Sequence, residues 1–129
     1  MLSREVVLRL VLAFGFAVAM TTAASADMSM NFEWGPTVKC FDPKSPPITL
    51  SGVPAGTKTL AFKMVDTDAP DFKHGGGTVV FGGQKTLPYG AFSYRGPCPP
   101  RPHMYEISVK ALDGSGKTIA TAKARRRFP

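Results

Sequence analysis

The sequence predicts an all-β fold, a sandwich or barrel of short strands. Three observations predict it. Short runs that alternate apolar and polar residues recur along the chain. Between them lie 13 glycines and 12 prolines, which punctuate the runs as turn signals. Beyond the N-terminal region no long helical periodicity appears, so little or no helix is expected there.

The elements follow in chain order. "MSMNFEW", residues 28–34, alternates. "SPPITLSGVPAG", residues 45–56, is a proline-rich connection with a short strand at Ile48 to Leu50. "KTLAFKMVD", residues 58–66, puts Leu60, Phe62 and Met64 on one face; Ala61 and Val65 beside Lys63 suggest that the other face is also partly covered. "GTVVFGG", residues 77–83, is a short apolar strand between glycines. "MYEISVKAL", residues 104–112, sends Tyr105, Ile107, Val109 and Ala111 one way. "DGSGK", residues 113–117, is a hairpin turn, because glycine accepts positive φ. "KTIATAK", residues 117–123, returns as a strand, and "ARRRFP" reads as a basic tail from about residue 123.

The first 26 residues read as a secretory leader. Arg4 and Arg9 precede an uncharged apolar run, Leu10 to Met20, and "ASA" at 24–26 offers the small residues of a cleavage site. The run is shorter than the roughly 20 residues of a membrane span, and nothing later is long or apolar enough for one. The expectation is therefore one domain, residues 27–129, in the periplasm or secreted. In an oxidising compartment its two cysteines, Cys40 and Cys98, are expected as a disulfide.

The chain is basic, with a formal net charge of +7. Lys123 and Arg125 to Arg127 lack interleaved aromatics, which argues against a single-strand nucleic-acid binder. They are read as a solvated tail.

The chemistry-bearing residues fall into two pairs. Asp66 and Asp68 lie two apart where a strand meets Pro70, which cannot continue a ladder. Close carboxylates can share a proton, bind a cation or accept loop amides, and one of them can simply cap the turn. His103 and Tyr105 are likewise two apart at a strand start, where a core tyrosine and a structural histidine are the plainer readings. If both pairs share a face, they form a pocket with acceptors, an imidazole and a phenol. "HGGG", residues 74–77, is not an esterase oxyanion loop, since no G-x-S-x-G accompanies it, nor a P-loop, since no G-K-[ST] follows. Asp66, Asp68, His74 and His103 match no strong metal-ligand spacing, so neither metal nor cofactor is assigned.

"SGVPAGTKTLAFKMVDTDAP" and then "GPCPPRPHMYEISVKAL" together resemble the phosphatidylethanolamine-binding protein family, in its bacterial Raf-kinase-inhibitor-like branch. "DTDAP" keeps both aspartates of the family's D-P-D-A-P, with Thr67 for proline; "HMY" keeps the histidine and tyrosine of H-R-Y, with Met104 for arginine. The likeness spans residues 46–112. It implies an antiparallel β-sandwich with a small anion-binding cavity at one end. Asp66, Asp68, His103 and Tyr105 would line that cavity, and Gly96 and Pro97 would lie in its rim. A family histidine before the central strand falls on His74 in one alignment and on glycines in another. The stretch after Phe81 is short and the closing C-terminal helix is missing, so a shortened member with a more open site is expected. Met104 is expected to cost the site one donor.

The implied function is capture of a small anion such as a phosphate-bearing headgroup. The alternative is a protein-interaction or inhibitor module with a vestigial cavity, acting on an extracytoplasmic partner. An enzyme using the Asp–His set lacks a nucleophile or cofactor motif and is the weakest of the three.

Overall fold

In the computed structural model the described residues are 13–19 and 27–129. The leader reading falls mostly on residues outside these. The described residues form strands β1 (Ser29–Phe32), β2 (Ile48–Ser51), β3 (Thr59–Asp66), β4 (Gly76–Val80), β5 (Thr86–Leu87), β6 (His103–Leu112) and β7 (Thr118–Phe128), and no helix. None of them, therefore, supplies a helix long and apolar enough to cross a membrane.

Two antiparallel sheets result. The smaller has the order β1-β2-β5 and the larger β4-β3-β6-β7. Alternation dictates which faces meet. Leu60, Phe62 and Met64 of β3 and Ile107, Val109 and Ala111 of β6 turn inward against Met30, Phe32, Ile48, Leu50 and Leu87. Each fully buried large side chain contributes roughly 1.5–3 kcal/mol, so this layer drives the fold. The opposite face of the large sheet is solvated, as antiparallel sheets allow.

The hairpin turn forms where expected. The Asp113 amide donates to the Lys117 carbonyl at 2.9 Å, and Gly116 has φ 84°. The basic segment is different from the sequence expectation: it is not a tail. β7 runs on to Phe128, with Ala120, Ala122, Ala124, Arg126 and Phe128 half-buried and the residues between them exposed. The physical reason is seen at Arg126, which points inward yet is satisfied. Its Nε donates to the Phe32 carbonyl at 2.6 Å, which joins β7 to β1. Beside it the Trp34 indole donates to the Arg127 carbonyl at 2.7 Å and packs edge-on against Phe32, Tyr105 and Phe128.

Glycines 75 and 76 do different work. Gly75 has φ 72° and turns the chain into β4. At Gly76 a Cβ would stand 1.8 Å from the Phe62 carbonyl oxygen, so only glycine lets β4 lie this close to β3. Cys40 and Cys98 form a disulfide with 4.6 Å between their Cα atoms. That bond and the lack of a spanning helix among the described residues are compatible with an exported protein.

Candidate functional site

The titratable groups collect at the end of the sandwich where β3 stops and β6 begins. Asp66 is the last residue of β3 and lies directly opposite Tyr105 of β6. Both face inward and are almost fully buried, at 4% and 1% exposure. His103, two residues earlier in β6, shares that face.

Asp66 is a hub. One carboxylate oxygen accepts the amides of Asp68 and Ala69 at 2.9 and 3.1 Å, and the other accepts His103 Nδ1–H at 2.6 Å. The turn-capping and pocket readings of this residue therefore hold together. Burial pushes the Asp66 carboxyl up. The hydrogen bonds from His103 and the Asp68 amide, with the charge of His103 and the Tyr105 hydroxyl, more than reverse that and hold it below its ordinary 3.8. Burial and then Asp66 push the Tyr105 phenol above its ordinary 10.0, so it stays protonated.

Asp68 lies past the strand end, in the turn, and is exposed. Its Oδ2 accepts the Met104 amide at 2.7 Å, and Thr67 donates its amide and hydroxyl to the Met104 carbonyl at 2.8 and 2.9 Å. The turn is thereby clipped to the start of β6. The Met104 side chain belongs to the other face of the sheet, since Met104 pairs with Arg127, whose side chain is exposed there. Strand parity thus corrects one expectation: methionine at this position takes no donor out of the hollow.

His74 joins the group. It is 4% exposed, and its ring packs at 4.6 Å from Phe72 and edge-on at 5.5 Å from Tyr105. Its Nδ1 lies 2.6 Å from the Arg95 carbonyl, while the Arg95 amide donates to the His74 carbonyl at 2.8 Å. A carbonyl and a carboxylate can only accept, so both His74 and His103 carry a proton on Nδ1. Neither Nε2 makes a hydrogen bond to the described residues.

Asp66, His74, His103 and Tyr105 line a hollow of about 120 Å³ together with Phe41, Ala69, Phe72, Cys98, Pro99 and Pro100; Asp68, expected there, is not in the lining because its carboxylate turns to the Met104 amide. Sites enclosing drug-sized ligands run to roughly 300–1,000 Å³, so only a small group enters here. Gly96 and Pro97 stand behind the wall. The Gly96 amide donates to the Asp42 carbonyl at 3.0 Å, and Pro97 is fully buried. A larger depression of about 530 Å³ lies between residues 50–57 and 81–85, but no imidazole or carboxylate lines it.

Three residues of the site carry no motif in the sequence. The Phe41 and Phe72 rings stack at 5.8 Å and 11°, and the Arg95 guanidinium sits over both, at 4.3 and 4.9 Å from their centroids. Phe41 has φ 52°, a left-handed conformation rare outside glycine. Arg95 could have been suspected only from its place just before "GPCPP". Ligand atoms of Asp66, Asp68 and His103 lie within 4.8 Å of one another, near enough to share a cation. With its proton on Nδ1 and engaged by Asp66, His103 cannot ligate through that atom, so the set is better suited to hydrogen bonding.

Fold and hollow define a class: a small two-sheet β protein with a His–Asp–Tyr cluster sunk into one end. A family model described as phosphatidylethanolamine-binding protein matches residues 19–81. A homologue of that family, CT736 of Chlamydia trachomatis, has a similar structure: TM-score 0.62 and 21% identity over 81% of this chain and 99% of that one. So does E. coli YbcL, described as a new member of the mammalian family: TM-score 0.57 and 25% identity over 80% and 98%. No curated protein sequence matches significantly. The chain is thus similar to the phosphatidylethanolamine-binding protein family over the matched residues, and it shares the fold of these two structures.

Proposed function

We propose that the hollow reversibly binds a small anion, of the kind carried by a phosphate-bearing headgroup, in a periplasmic or secreted protein. One observation carries the reading: His103, pinned through Nδ1 by Asp66, lines a small hollow with His74 and the Tyr105 phenol. Of the two carboxylates only Asp66 lines the hollow, where it is paired with His103. Asp66 is consumed by internal donors, and Asp68 by the Met104 amide. Arg95, held over the two phenylalanine rings at the lip, supplies the cation. Asp66, Asp68 and His74 are positioning groups in this scheme, while His103, Tyr105 and Arg95 meet the anion. A neutral His103 presents a lone pair at Nε2, so a fully ionised guest is held by the imidazolium form.

The test is a titration with inorganic phosphate and with phosphoethanolamine, read on the His74 and His103 imidazole resonances by NMR. Saturable shifts at millimolar ligand are expected. Arg95→Ala should weaken binding by roughly tenfold or more, the worth of one charge-assisted hydrogen bond. Unmoved imidazole signals at millimolar ligand would overturn the proposal.

A further inference from the structure

The outward face of the large sheet has no role in the hollow. Register places Lys63, Ser108 and Lys123 in one row across β3, β6 and β7, with Ala61, Lys110 and Thr121 in the next. Beyond them come Val65, Glu106 and Arg125, and then Met104 with Arg127. This face thus carries five cations. Its one carboxylate, Glu106, is already engaged by Arg125 at 2.7 Å. A merely soluble surface intersperses both signs; this one does not.

We propose that this face lies flat against an anionic lipid surface. Three features select that partner. The cations are spread in a plane over three adjacent strands, with Lys63 and Lys123 about 10 Å apart across the row and Arg125 and Arg127 about 7 Å apart along β7. No Phe, Tyr or Trp stands on these rows, so nucleic-acid bases have nothing to stack on. The same lack leaves a protein partner without an aromatic anchor. Ala61, Val65 and Leu112 are half-buried among the basic stems, which can lie along them while their charged ends reach outward. Attachment is electrostatic adsorption without insertion, and therefore sensitive to salt.

The experiment is co-sedimentation of the full chain with vesicles of phosphatidylcholine alone and of an equal mixture with phosphatidylglycerol, at increasing sodium chloride. Binding confined to the anionic vesicles and abolished by salt is expected. Lys63→Glu with Lys123→Glu should weaken it by roughly tenfold or more. The pair Lys63→Gln and Lys123→Gln should give a smaller loss. Both positions are exposed, and the His103 and Tyr105 resonances of each variant without ligand report an intact fold. The vesicle readout does not depend on the hollow's phosphate response, so either proposal can fail alone. Equal binding to neutral vesicles, undiminished binding by the Glu variant, or retention on heparin without sedimentation on vesicles would overturn it.

Discussion

Asp66 shows how much one side chain can organise. It closes the turn after β3 through two amides and fixes the imidazole of the facing strand through its other oxygen. Asp66→Asn keeps the shape but loses the charge and one acceptor, so the variant should be less stable by about 1–3 kcal/mol in urea at neutral pH. The pH dependence has a definite sign. The folded-state carboxyl titrates below its ordinary 3.8, so its contribution is complete above that value and vanishes as pH falls through the depressed one. The wild-type and Asn curves should therefore separate at neutral pH and converge in acid. A gap that stayed constant into strong acid would show that the charge is not what stabilises. The sequence offered both uses of this residue as rivals, because a strand-end aspartate suits a cap and a pocket equally. Only the register with Tyr105 shows that one carboxylate serves both.

Among the elements, those with an inward apolar residue at every second position were legible. β3 and β6 could be read almost to the residue. β7 was legible only as far as Lys123, because at Arg126 an inward position is held by a charged side chain whose hydrogen bond lies on distant β1. β5 has two residues, too few to show any period. β4 was placed late because two of its five residues are glycines, which read as a loop. Its pairing rests on Gly76, and Gly76→Ala tests that directly. The added methyl would meet the Phe62 carbonyl, so β4 must lift from β3. A loss of about 1–3 kcal/mol is expected from such overpacking. Amide exchange should lose protection in β4 while β6 keeps its own. His74 is two residues upstream, so its imidazole signals should shift as well. Unchanged β4 protection would mean that the backbone gives way more cheaply than this contact implies.

For the molecule as a whole, the fold class followed from strand spacing, but the site required distant segments to meet. The two motifs supplied Asp66, His103 and Tyr105, whereas Phe41, Phe72 and Arg95 lie in loops whose local sequence has no period to betray a shared lip. Phe41 reaches that lip in a left-handed conformation and donates its amide to the Pro97 carbonyl at 3.3 Å. A side chain in that region costs roughly 1–2 kcal/mol, so something must hold it, and the neighbouring Cys40–Cys98 bond is placed to do so. The bond spans 58 residues of chain and ties the segment after β1 to the wall of the hollow. Closing a loop of that size should stabilise the fold by about 4 kcal/mol on the chain-entropy account. Two effects are then expected from Cys40→Ser with Cys98→Ser. Denaturant stability should fall by about that amount, and phosphate should bind more weakly even where the variant remains folded, because Phe41 and with it Arg95 lose their seat. The second effect is decisive: a folded variant that bound phosphate as the parent does would show that the lip holds itself, and the disulfide would then act on the unfolded chain alone.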